Sequence, residues 1–181
     1  EMIEEQARLC LLNIREKDIV FTVRFLDRFP EQVSGDYLRV AQIFQNILSN
    51  ACKFTEQGTI TLSLHCKMEE GQVWFDGCVE DTGVGMTKEK LAQVFAEYVS
   101  FSEDMGVEGF GLGLSIVRQL VEMMHGWVRA ESDQGKGTRV SFGFYQKQVP
   151  TEISEPGNIG QEILKEQSDP QVEEIQPNWV Y

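Results

Sequence analysis

The run SGDYLRVAQIFQNILSNACKFT (34–55) constrains this chain more than any other stretch. Val40, Ile43, Phe44, Ile47, Leu48 and Ala51 recur at helical spacing and make a broad apolar face. A long helix with so wide an apolar face must be laid against another apolar layer. Ser34 or Asp36 is placed to cap it. Beside that face stand Asn46, Asn50 and Lys53. At about 100° per residue they share a sector of roughly 60°. Amide oxygens can hold a hard cation such as Mg2+, or its waters, and an ammonium can meet phosphate as a point charge. Taken alone, the three residues fit a solvated helix stripe equally well.

The rest of the chain supplies the layer. DIVFTVRFLDRF (18–29) is rich in β-branched and aromatic residues and reads as a strand. TITLSLHCKM (59–68) and QVWFDGCVE (72–80) alternate on either side of EEG and read as a hairpin. WVRAES and TRVSFGFYQ are strands joined by the turn DQGKG. EMIEEQARLCLLNIRE (1–16) looks helical, TKEKLAQVFAEY is a short helix capped by Thr87, and LGLSIVRQLVEMMH is an amphipathic helix stopped by Gly126. The pattern predicts an α/β (α+β) two-layer sandwich over residues 17–147, with helices covering one face of a mixed sheet. From Val149 the character changes: four of the five prolines and seven acidic residues stand against Lys165 alone. Residues 148–181 are therefore expected to be a flexible acidic tail or linker.

Charge narrows the ligands. A net charge of −13 argues against nucleic acid or a membrane surface, both rich in phosphate. A small anionic ligand remains open, because backbone N–H groups and a divalent cation can hold phosphate without a basic surface. Cys10, Cys52, Cys66 and Cys78 show neither CxxC nor zinc spacing. They are expected to be reduced and mostly buried, which suits the cytosol. No apolar stretch is long enough to span a bilayer, and no signal peptide is visible.

Two glycine-rich segments carry more information. EDTGVGM (80–86) ends the run VWFDGCV and places Asp81 just before Gly83 and Gly85. A turn needs the glycines but not the acid. GFGLGLSI (109–116) sets glycines at alternate positions before a helix, which exposes backbone N–H groups beside a helix N-terminus. It lacks the third glycine of the dinucleotide fingerprint and no strand leads into it. GKGT (135–138) precedes a strand and reads as a hairpin turn, not a P-loop.

In this order the features resemble the catalytic and ATP-binding domain of sensor histidine kinases, within the GHKL ATPase superfamily. The resemblance covers about residues 17–147. NILSNACKFT resembles the N box, with Asn46, Asn50 and Lys53 on matching positions and Phe54 where Tyr is frequent. DTGVGM resembles the G1 box, with Asp81, Gly83, Gly85 and Met86. VFAEYVSF resembles the F box with Phe95, and GFGLGL the G2 box with Gly109, Phe110, Gly111, Leu112, Gly113 and Leu114. The GKGT turn, ending in Thr138, is similar to a final glycine box.

The resemblance implies a GHKL-type fold with ATP, or ADP as product, held between the long helix and a mobile lid at about residues 98–110, which includes Gly106. It implies that Asn50 contacts Mg2+, that Lys53 lies near the phosphates, and that Asn46 and Lys53 stand nearest the transfer. Asp81 becomes the base selector: a carboxylate only accepts hydrogen bonds, and adenine presents an N–H2 donor where guanine presents an oxygen. ATP-hydrolysing relatives carry Glu where this chain has Asn46, and an amide cannot take a proton from water near neutral pH. The implied reaction is therefore transfer of the γ-phosphate to a histidine on a separate dimerisation domain. Neither His65 nor His125 sits in a phosphoacceptor motif. That histidine is expected on sequence N-terminal to Glu1, with residues 1–16 as the end of the connection. The chain alone is expected to bind ATP without completing autophosphorylation. The implied partners are the dimerisation domain, a homodimeric parent and a response regulator or receiver domain, in a cytoplasmic setting. The segment YVSFSED lacks the Arg or Lys common in that region, which leaves a degenerate nucleotide- or partner-binding module as the alternative. A hydrolase is disfavoured by Asn46.

Overall fold

The computed structural model describes residues 2–30, 33–69, 71–96 and 113–148. The elements run α1 (Met2–Ile14), β1 (Asp18–Phe25), β2 (Val33–Ser34), α2 (Tyr37–Phe54), β3 (Gln57–Glu69), β4 (Gln72–Asp81), α3 (Lys88–Leu91), α4 (Gly113–Met123), β5 (Trp127–Asp133) and β6 (Gly137–Gln148). The strands form one mixed sheet in the order β1-β3-β4-β6-β2, with β5 also paired to β6. Only β1–β3 is parallel, as a helical crossover through α2 requires.

Period-two alternation decides which side of the sheet is covered. Ile60, Leu62 and Leu64 of β3, Val73 and Val79 of β4, and Val140, Phe142 and Phe144 of β6 are all buried. All of these but Val73 meet Val40, Ile43, Phe44, Ile47, Leu48 and Ala51 of α2, and Val117, Leu120 and Val121 of α4, in one cluster. Phe44 and Phe142 touch edge to face, with ring centroids 5.3 Å apart. Each such side chain, fully buried, is worth about 1.5–3 kcal/mol. A charge at Ile47, which is 1% exposed, would break the seam between the layers. Helices thus back one face of a mixed sheet, as the sequence pattern predicts.

Three local features settle or alter the sequence reading. Asp36, not Ser34, caps α2: its side chain accepts from Arg39 N–H, while Ser34 lies in the short strand β2. Of the helix expected over TKEKLAQVFAEY, the described part is helical only over Lys88–Leu91 and then turns, although Thr87 does cap it; Glu97 and Tyr98 lie outside the described residues. At the end of α4 it is His125 that takes the left-handed conformation, at φ 56°. Gly126 is needed there for a different reason: a Cβ would sit 2.0 Å from the Gly143 carbonyl oxygen. Helix α1 also belongs to the packed core, since Cys10 and Ile14 are buried within the same cluster. The tail from Val149 lies outside the described residues.

Candidate functional site

The site begins with a register. On β4, Val73, Phe75, Gly77 and Val79 alternate toward the helices, and Asp81 is the next residue on that face. An acid therefore takes a position where the strand has so far placed core residues. Its Oδ1 accepts from Gly83 N–H at 2.9 Å and from Thr138 N–H at 3.3 Å. No ion pair neutralises it among the described residues. Burial pushes its carboxyl above the ordinary carboxylate value. The two backbone N–H groups pull it back. Both backbone bonds fall on one oxygen, so Oδ2 takes neither of them.

The segment after Asp81 is pinned from several sides. Val84 N–H donates to Phe54 C=O at the end of α2, and Gly135 N–H donates to Val84 C=O. Met86 N–H donates to Ser132 Oγ at 2.8 Å; Ser132 in turn donates to Gly137 C=O and meets Thr138 Oγ1. These approaches explain the glycines. A Cβ on Gly83 would lie 2.3 Å from Phe54 O, and one on Gly85 would lie 2.0 Å from Asp133 O. A Cβ on Gly137 would lie 1.9 Å from Asp81 O. So the sequences DTGVGM and GKGT interlock backbone to backbone.

The amide stripe of α2 faces the start of α4. A Cβ on Gly113 would come 3.5 Å from Asn46 Oδ1 and 3.6 Å from Asn50 Nδ2. The first turn of a helix leaves backbone N–H groups unpaired and carries a partial positive charge. Lys53 holds its ammonium 5.2 Å from the Phe54 ring centroid. Among the described residues, two buried side-chain polar atoms have no hydrogen-bond partner: Asn46 Nδ2 and Thr55 Oγ1. Both belong to this region. Leaving such groups unmade costs about 1–3 kcal/mol each, a cost a ligand can relieve.

Asp81, Gly83, Gly85, Met86 and Thr138 thus come together at one end of the sheet, against Phe54. Asn46, Asn50, Gly113 and Leu114 gather where α2 meets α4. Phe95 instead lines a cleft of about 520 Å3 with Trp127, Arg129 and Glu131 of β5. Gly109, Phe110, Gly111, Leu112 and the expected lid lie outside the described residues. Two residues escaped the sequence reading. Thr55 is 0% exposed, and its position just after an apolar helix face could have flagged it. Ser132, in a hairpin strand, carries no local signal at all.

A two-layer α/β fold with an inward acid, crowded glycines and a helix start facing two amides defines a nucleotide-binding class of ATPase-like domains. Residues 35–148 match the family described as histidine kinase-, DNA gyrase B- and HSP90-like ATPase, and the chain belongs to that family. It is a histidine-kinase-type catalytic domain of the GHKL superfamily. It is 35% identical over 147 residues to hybrid signal transduction histidine kinase B of Dictyostelium discoideum, covering 78% of this chain and 7% of that protein. It is 31% identical over 157 residues to the aerobic respiration control sensor protein ArcB of Escherichia coli, covering 84% of this chain and 20% of that protein. The crystal structure of full-length ShkA in complex with AMPPNP superposes with a TM-score of 0.65 at 29% identity, over 82% of this chain and 30% of that one. The chain therefore spans a small part of the curated relatives it matches. No helix among the described residues is long and apolar enough to cross a membrane.

Proposed function

We propose that this domain binds ATP at the Asp81 end of the sheet and presents its γ-phosphate to a histidine carried by a dimerisation domain outside this chain. The carrying observation is Asp81 itself: an inward-facing carboxyl, held by two backbone N–H groups, with no cation among the described residues to neutralise it. Such a group costs stability unless a ligand donor meets it. Asp81 Oδ2 would accept from the exocyclic N–H2 of adenine, with the Thr55 hydroxyl as a second polar contact. Gly83 would let the base edge approach the backbone.

Phosphate and its cation fit the other half of the site. Asn46 Nδ2, buried and without a partner among the described residues, would donate to a phosphate oxygen. The start of α4 and Lys53 would add positive potential. The Asn50 amide oxygen would hold Mg2+, an ion that neutralises phosphate charge when bound. Because an amide at Asn46 cannot act as a general base, the site is suited to hand phosphate to a protein nucleophile and not to water. The parent is read as a homodimeric, cytoplasm-facing sensor kinase that passes phosphate to a receiver domain.

The test is a calorimetric titration with ATP, ADP and GTP, with and without Mg2+. ATP and ADP are expected to bind and GTP to fail. Asp81→Asn should weaken ATP binding roughly tenfold or more, the equivalent of one lost buried hydrogen bond. Equal affinity for ATP and GTP, or an unaffected Asp81→Asn, would remove the assignment.

A further inference from the structure

Helices α1 and α2 bring two thiols together that the nucleotide site does not use. Cys10 Sγ and Cys52 Sγ are 2.8 Å apart and come from positions 42 residues apart in the chain. Both are free thiols and both are buried, at 2% and 3% exposure. A disulfide bond is about 2.05 Å long, so roughly 0.8 Å of approach closes the gap. The Lys17 ammonium donates to Cys52 C=O at 2.8 Å and to Thr55 C=O at 2.9 Å. Cys52 lies between Asn50 and Lys53 in sequence, on the helix that carries the amide stripe.

We propose that Cys10 and Cys52 are a modification site: an oxidisable dithiol whose substrate is a small hydroperoxide and whose product is a bridge locking α1 to α2. Cys52 Sγ, giving up its proton, attacks one peroxide oxygen. An S–O bond forms, the O–O bond breaks, and the second oxygen leaves as an alcohol, or as water from hydrogen peroxide, after taking a proton. Cys10 sulfur then attacks Cys52 Sγ. The S–S bond forms, the S–O bond breaks, and water leaves with the Cys10 proton. Two thiols lose two electrons and two protons, and the peroxide is reduced. Burial of both sulfurs excludes bulky oxidants such as oxidised glutathione and leaves a small peroxide as the class that fits. A reversible bridge of this kind is the usual form of a disulfide in a reducing compartment. Its consequence is mechanical, because α1 can no longer separate from the helix bearing Asn46 and Asn50.

The experiment treats the full chain with hydrogen peroxide, blocks free thiols and maps peptides without reduction. A Cys10–Cys52 cross-link reversed by dithiothreitol is expected, with the thermal midpoint raised by about 5 °C. In Cys10→Ser, dimedone should trap a sulfenic acid on Cys52. Failure of the cross-link to form while Cys66 and Cys78 become oxidised would overturn the proposal. Equal yield with oxidised glutathione would overturn the substrate class. Mapping of the wild-type chain decides the matter even where a serine variant does not fold. The cross-link is read without nucleotide, so its failure is distinct from failure of the ATP reading.

Discussion

Strand β4 has two ends, and glycine serves each differently. Beyond Gln72 the hairpin turns through Gly71, at φ 73°, where an added Cβ meets nothing within 4 Å. Beyond Asp81 the chain passes Gly83 and Gly85 and abuts Gly137, where an added Cβ would collide with Phe54, Asp133 and Asp81 backbone oxygens. One end needs glycine only for its dihedral. The other needs the space as well, because three backbone segments converge there. Convergence of backbone around an inward acid is what separates a site from a turn.

The widest separation between the two ends should come from Gly137→Ala. Its φ of 113° and a 1.9 Å clash with Asp81 O allow no small adjustment. A loss of about 3 kcal/mol or more is expected in urea unfolding. Survival within about 1 kcal/mol of wild type would erase the distinction. Next comes Asp81→Asn, which should act in opposite directions on folding and on binding. Burial raises the Asp81 carboxyl in the folded chain above its unfolded value of 3.8. The folded state therefore binds this proton more readily, and stability without ligand falls as pH rises from about that value through the folded one. Asp81→Asn should flatten that part of the unfolding profile and raise ligand-free stability above it, even as it weakens ATP. A parallel loss of both would mark Asp81 as structural.

Gly71→Ala is the control at the open end. It should cost about 1 kcal/mol, the price of a left-handed alanine, with nucleotide binding unchanged. Smallest of all is Thr55→Val. Removing a buried hydroxyl that has no partner among the described residues should leave stability within about 1 kcal/mol, or raise it. Nucleotide titration of the same variant should show weaker binding. A clear destabilisation would mean that the hydroxyl is satisfied without ligand.

Much of this was legible in the sequence for definite reasons. The apolar spacing in 34–55 announced α2, and alternation in 59–80 announced the hairpin and its covered face. The same alternation puts Asp81 in line with Val73 and Val79, so the odd acid could be found by counting. Other features had no local trace. The turns after Leu91 replace helix although AQVF looks helical, because a four-residue helix depends on tertiary support and not on propensity. Ser132 looks like any strand serine until Met86, 46 residues away, donates to it.

The sequence by itself determined most of the elements, which face of each is apolar, and which residues break the pattern. These follow from short-range period and capping, and need no knowledge of the fold. Only the tertiary structure decided which of those residues meet. Asp81 is closed by Thr138 from 57 positions away, Asn46 and Asn50 face Gly113, and Cys10 reaches Cys52. Periodicity fixes a direction on a helix or strand, but strand order and helix placement fix the neighbour found there. Strand order and helix placement arise from burying the whole apolar surface at once.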